Sequence, residues 1–215
     1  MSVAASAEAP RFDLELRRSA FVAYGATTPL SLAGDLQEPV PQLTAPMQKL
    51  ARNLRGASAR MRVARDVPYG QLWRVISAGV EAGVGAWELS TPGVGAPEAS
   101  VHVSPGLGLG AATCFATAWI GPDASVTVGL EAKGVLVRAH ERRPPVDGVL
   151  AVVRRLDDHC AEGELRFNSQ PSAAWGPVFD VARGVDAATP PPKVHALRLA
   201  VGHVAPVDQA LEVVP

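Results

Sequence analysis

Leu43-Thr44-Ala45-Pro46-Met47-Gln48-Lys49-Leu50-Ala51-Arg52-Asn53-Leu54 sets four apolar residues, Leu43, Met47, Leu50 and Leu54, at i, i+4, i+7 and i+11. That period puts them on one face of a helix. Adding 106 to each number gives Val149, Val153, Leu156 and Cys160, again apolar and again on one face. A second stretch repeats the relation. Tyr69, Leu72, Trp73 and Ile76 form a stripe at i, i+3, i+4 and i+7, and the same offset gives Trp175, Val178, Phe179 and Ala182. Gly70 maps onto Gly176 and Val75 onto Val181. Two amphipathic helices sharing one offset point to an internal duplication.

Short strands fall around these helices. Met61 and Val63 in residues 60–64 precede the second helix of the first copy, and Leu165 and Phe167 in residues 164–167 do so in the second. Trp87 and Leu89 follow it in one copy, Leu197 and Leu199 in the other. Each pair alternates with neighbours on the other face, the period of a half-buried strand. Before the first helix, Val126, Val128 and Leu130 lead through Lys133-Gly134 to Val135 and Val137, a hairpin pattern. The first copy offers Val22 and Tyr24, then Thr27-Thr28 as the turn, then Leu30 and Leu32. The expected fold class is therefore α+β: two tandem β-β-α-β-α-β modules, each a small mixed sheet covered on one face by two helices, with right-handed crossovers. Residues 20–91 form module 1 and 124–201 module 2. Residues 1–19 read as an N-terminal extension, 92–123 as a Gly/Pro-rich linker and 202–215 as a C-terminal tail. Within the linker, residues 113–120 alternate Phe115, Thr117 and Trp119 with small residues, so an extra strand is expected there.

The run Met61-Arg62-Val63-Ala64-Arg65-Asp66-Val67-Pro68-Tyr69-Gly70, followed by Leu72, Val75, Ile76 and then Glu81-Ala82-Gly83, resembles the periplasmic domain of ExbD/TolR proteins. The likeness covers residues 43–90. The second copy shares the architecture, but its turn is Ala174-Trp175-Gly176. The resemblance implies a non-enzymatic part of a proton-driven envelope transport complex, working with an ExbB/TolQ-type multi-helix partner. In that family one N-terminal transmembrane helix carries the proton-coupled aspartate, and this chain shows no such helix. Family members also carry one module where two are read here. What the resemblance leaves for this chain is binding: peptidoglycan, an envelope protein partner or another copy of the module, with the two modules pairing as an intramolecular pseudo-dimer. The implied location is the periplasm or cell envelope if an anchor or signal precedes this chain, and the cytoplasm otherwise.

Composition bounds the alternatives. Of the 215 residues, 47% are hydrophobic, enough for a core, and 5% are aromatic, so that core rests mostly on Val, Leu and Ala. The 20 Lys+Arg against 21 Asp+Glu lack the basic excess of a nucleic-acid binder. There is no apolar run of about 18 residues or more, as a membrane-spanning helix needs, and no apolar h-region near Met1. Two cysteines, Cys114 and Cys160, are too few for a disulfide framework or a four-cysteine zinc site.

Candidate chemistry reads weakly beside plain structure. Gly106-Leu107-Gly108-Leu109-Gly110 lacks the spacing and following helix of a dinucleotide loop, so a turning linker is the plainer reading. Asp157, Asp158, His159 and Cys160 are neighbours in sequence, and neighbours on a helix do not face one another. His102, His140, His195 and His203 are scattered. No metal site and no cofactor is expected. The four tryptophans, Trp73, Trp87, Trp119 and Trp175, read as core anchors, and Pro190-Pro191-Pro192 as a stiff loop. At the turn, Pro68 suits a helix start, Asp66 favours its dipole and could cap it, and Tyr69 is expected to bury its ring and keep its hydroxyl wet. Arg138, Arg142 and Arg143 form a basic patch suited to an anionic partner. The candidate partner-binding residues are thus Asp66, Pro68, Tyr69, Arg138, Arg142 and Arg143, with no catalytic residue. The alternative is a small cytoplasmic enzyme using Gly106 to Gly110 and Cys114 as a thiol nucleophile, and a third reading is a cytoplasmic regulator that senses a partner.

Overall fold

A computed structural model describes residues 14–30, 40–54, 58–92, 99–105, 114–121, 126–132, 135–141, 145–157, 163–188 and 194–199. The first half runs β1 (Leu14–Arg17), β2 (Ala20–Ala23), β3 (Ala26–Pro29), α1 (Pro41–Leu54), β4 (Ala59–Val63), α2 (Tyr69–Glu81), β5 (Trp87–Thr91) and β6 (Ala99–Pro105). The second runs β7 (Cys114–Ile120), β8 (Val126–Ala132), β9 (Val135–Glu141), α3 (Pro145–Asp157), β10 (Gly163–Ser169), α4 (Trp175–Asp186) and β11 (Val194–Leu199). The α+β class and the paired helices of each half follow the expectation. The two small sheets, however, join into one.

The strand order is β3-β2-β1-β4-β5-β6-β11-β10-β7-β8-β9. Read from either end toward β6, the halves correspond strand for strand. β1 pairs antiparallel with β2 and parallel with β4, as β7 does with β8 and β10. β4 and β5 are parallel, as are β10 and β11. β6 runs antiparallel to β5 and parallel to β11, so β5 and β11 run in opposite directions. Exchange of the halves therefore reverses strand direction, as a two-fold relation through the centre of the sheet requires.

Among the described residues the first half carries two strands more than the four expected, β1 and β6, and β6 (Ala99–Pro105) falls in the stretch expected to be a linker; the second half carries one more, β7. β1 lies in the residues set aside as an N-terminal extension; its period-2 burial of Leu14 and Leu16 is too short a signal to stand out. β7 is its counterpart, in the segment expected to add a strand. The first hairpin also differs. Its turn is Tyr24-Gly25, with φ of 53° and 78°, and Thr27 and Thr28 belong to β3. A two-residue hairpin loop needs positive φ at both central positions, which Gly25 accepts and a threonine does not.

The stripe residues whose burial is described lie in the core where the period placed them, Trp73 excepted, while the side chains of Val153 and Leu156 are outside that description. Leu43, Met47, Leu50 and Leu54 of α1 and Tyr69, Leu72 and Ile76 of α2 are in the core, while Trp73 is only half-buried. Each such aliphatic side chain contributes roughly 1.5–3 kcal/mol of transfer free energy. In the second half, Trp175, Val178, Phe179 and Ala182 of α4 are buried, and Val149 of α3 with them. α3 starts earlier than its stripe, with Pro145 at the first position, where a missing N–H costs nothing. α1 packs on α2 and α3 on α4. The expected turn at Lys133-Gly134, the proline run, Cys160 and the stretch from Gly106 to Gly110 lie outside the described residues.

Candidate functional site

The first N–H groups of a helix have no partner within it, and a side-chain cap usually serves them. Neither α2 nor α4 has one. Pro68 and Ala174 hold the cap positions in extended conformation with no side-chain bond. The partners come from the opposite half. The Tyr69 N–H donates to the Ala173 carbonyl and the Trp175 N–H to the Val67 carbonyl, both at 2.8 Å. The Gly70 N–H donates to Pro171 and the Gly176 N–H to Arg65, both at 2.9 Å. Each bond turns into its mate when 106 is added or subtracted. Pro68 and Ala174 form an antiparallel bridge, so a local two-fold axis passes between them. The turn that precedes each helix is thereby the cap of the other.

Side chains tighten this joint. Tyr69 is 1% exposed, and its hydroxyl donates to the Phe167 carbonyl of β10 at 2.7 Å. The expectation of a wet hydroxyl is thus corrected: the second half covers it. Trp175, fully buried, donates its indole N–H to Thr91 Oγ1 of β5 at 2.9 Å, and its ring meets Phe179 at 5.9 Å between centroids. Within the second half, Ser169 Oγ donates to the Ile120 carbonyl at 2.6 Å, tying the end of β10 to the end of β7. Removing the Tyr69 hydroxyl leaves the Phe167 carbonyl short of a donor. Tyr69→Phe should cost about 1–2 kcal/mol of unfolding free energy, read by urea denaturation.

Arg65 crosses the joint to Asp180, Nη1 to Oδ1 at 3.0 Å with Nη2 on Oδ2. That hydrogen bond raises the Arg65 pKa above its ordinary value, so the guanidinium stays charged. The fork geometry is favourable, but the Asp180 side chain is 56% exposed. Arg65→Met should therefore shift stability by less than about 1 kcal/mol, and less still in high salt. A larger loss in the same denaturation assay would mean that the ion pair, and not the backbone bonds, holds the halves.

The other candidates are dispersed. Asp66 is exposed and supplies no cap, because carbonyls of the opposite turn occupy that role. Pro68 is half-buried in the bridge. Arg138 lies on β9, the last strand of the sheet, with six strands between it and β4 in sheet order. Arg142 and Arg143 lie outside the described residues, as do His159 and His203. His102 is exposed on β6, while His140 and His195 lie on β9 and β11. Cys114 opens β7. Between α1 and the end of α2 there is an open depression of about 410 Å³ lined by Gln48, Ala51, Arg52, Ala82 and Gly83. Among the described residues no three His, Cys, Asp or Glu side chains gather as a metal site would require, and no helix is long and apolar enough to cross a membrane. Sequence reasoning found the turn at residues 66–70 but missed its partners. The one available signal was that residues 171–176 occupy the same place in the repeat.

These features define a class: an internally duplicated α+β protein whose halves cap each other's second helix and share one sheet. No protein-family model matches the chain, and no curated protein matches it.

Proposed function

We propose that this chain is a non-enzymatic binding or scaffold component of the ExbD/TolR type, in which the two modules act as one covalently linked pair. The observation that carries the reading is the turn at residues 66–70. It is the stretch that resembles the family, and here it lies in a two-fold joint with its own repeat. A pair linked in one chain holds the differing outer surfaces of its two halves in fixed relation, which suits bridging or scaffolding. Tyr69 then serves the joint, and contact with a partner falls to the exposed Asp66 and to Arg138, Arg142 and Arg143. The basic patch suits an anionic partner such as peptidoglycan, or an acidic face of an envelope protein.

Co-sedimentation of the purified chain with peptidoglycan sacculi tests this. The chain should pellet with sacculi at low salt, and Arg138→Glu combined with Arg142→Glu and Arg143→Glu should reduce the pelleted fraction several-fold. A chain that stays in the supernatant, and that also fails to co-purify with an ExbB/TolQ-type partner, would overturn the proposal.

A further inference from the structure

The repeat keeps the strand pairing of the two halves but changes the charges along it. In the first half, Arg60 of β4 stands opposite Glu88 of β5, and the two form an ion pair at 2.7 Å. β10 corresponds to β4 at an offset of 106, and β11 to β5 at an offset of 110, so that Met61↔Leu89 becomes Phe167↔Leu199. Arg60 and Glu88 then become Arg166 and Arg198, which are again directly opposite each other. An opposite-charge pair has turned into a like-charge pair, which by itself opposes the pairing of the strands.

Burial sharpens the contrast. Leu165 and Phe167, before and after Arg166, are fully buried in the core, so Arg166 belongs to the other face of the sheet. Its counterpart Arg60 is exposed, whereas Arg166 is only 9% exposed. A guanidinium withdrawn from water needs counter-charge and acceptor oxygens. The register extends the pair on both sides: Ser104 of β6 stands opposite Arg198, and Thr117 of β7 opposite Arg166. Four neighbouring strands, β6, β11, β10 and β7, thus set a serine, two arginines and a threonine in one row. Among the described positions two residues to either side of that row, one is acidic, Glu164 of β10, which balances one arginine of the two. Half-buried Trp119 and buried Asn168, opposite each other on β7 and β10, border the row.

We propose that the row Ser104, Arg198, Arg166 and Thr117 is a binding site for a phosphate group, either free inorganic phosphate or a phosphate monoester. Arginine offers only donors, in a planar fork that matches a pair of oxyanion oxygens. A carboxylate presents one such pair, enough for one fork. A phosphate presents several, so it can take both forks and still accept from a hydroxyl. The site differs from the basic patch at Arg138, Arg142 and Arg143, and it owes nothing to any resemblance to ExbD/TolR.

Isothermal titration calorimetry of the full chain with inorganic phosphate, at fixed ionic strength, tests the site. Saturable binding is expected, and its absence in the millimolar range would overturn the proposal. Arg198→Glu rebuilds the arginine–glutamate pair of the first half, so it should weaken phosphate binding at least about tenfold. In urea without phosphate the same variant should be no less stable than the original chain. A less stable variant would overturn the premise that like charges oppose this pairing. Undiminished binding by Arg198→Glu would overturn the site, as would binding that is lost instead in Arg142→Glu with Arg143→Glu. Acetate bound as tightly as phosphate would overturn the choice of ligand. Glycerol phosphate bound as tightly as inorganic phosphate would assign the site to monoesters, and binding of inorganic phosphate alone would assign it to the free ion.

Discussion

Trp175→Ala should lower the unfolding free energy by roughly 3–5 kcal/mol, a large part of the 5–15 kcal/mol typical of a folded domain. The indole is fully buried at the start of α4, stacks at a tilt on Phe179 and reaches Thr91 of the other half. Truncation leaves a cavity and strips Thr91, itself fully buried, of its donor. Urea denaturation should show the midpoint falling with the slope unchanged, if the native state stays compact. Trp175→Phe separates the two causes: it retains most of the volume and loses the N–H, and should cost about 1–2 kcal/mol. Trp73→Ala is the internal comparison. That ring is only half-buried, so its loss should be clearly smaller. Equal effects at Trp73 and Trp175 would remove the case that the tryptophan at the joint holds the halves together.

The second large effect is expected at Gly79. A Cβ there would stand 2.3 Å from Cζ2 of Trp87 and 3.1 Å from its Cη2. Trp87 is fully buried in β5 and has nowhere to retreat. Gly79→Val should therefore destabilise by on the order of 3 kcal/mol, although replacing a mid-helix glycine ordinarily helps. The repeat suggests its own rescue. The counterparts of Gly79 and Trp87 are Val185 and Leu197, a large residue for the small one and a small one for the large. Gly79→Val with Trp87→Leu should recover about 1–2 kcal/mol relative to the sum of the single changes. Additive losses in the double variant would mean that the two positions do not share one space.

Both substitutions act on contacts that sequence periodicity reveals unequally. The stripes of α1, α2 and α4 were legible because burial on a helix repeats every three to four residues. Leu43, Met47, Leu50 and Leu54 needed no knowledge of what they face. The strands β4, β5, β8, β9 and β10 were legible through alternation and through their places around the repeated helices. Four-residue β1 and the turn at Tyr24-Gly25 were not, since two buried residues, or one glycine, make too short a pattern. Of the candidate site, the turn at residues 66–70 was marked by its composition, and its place in a joint was not.

The sequence by itself determined the duplication, the α+β class and which helix faces are buried, because these follow from local period and its recurrence along the chain. Only the tertiary structure decided that the two sheets are one, that the halves run in opposite senses about β6, and that each turn caps the other's helix. Those bonds join backbone groups about a hundred residues apart. A backbone carbonyl leaves no mark on side-chain pattern, so neither its direction nor its partner can be read until the chain has folded.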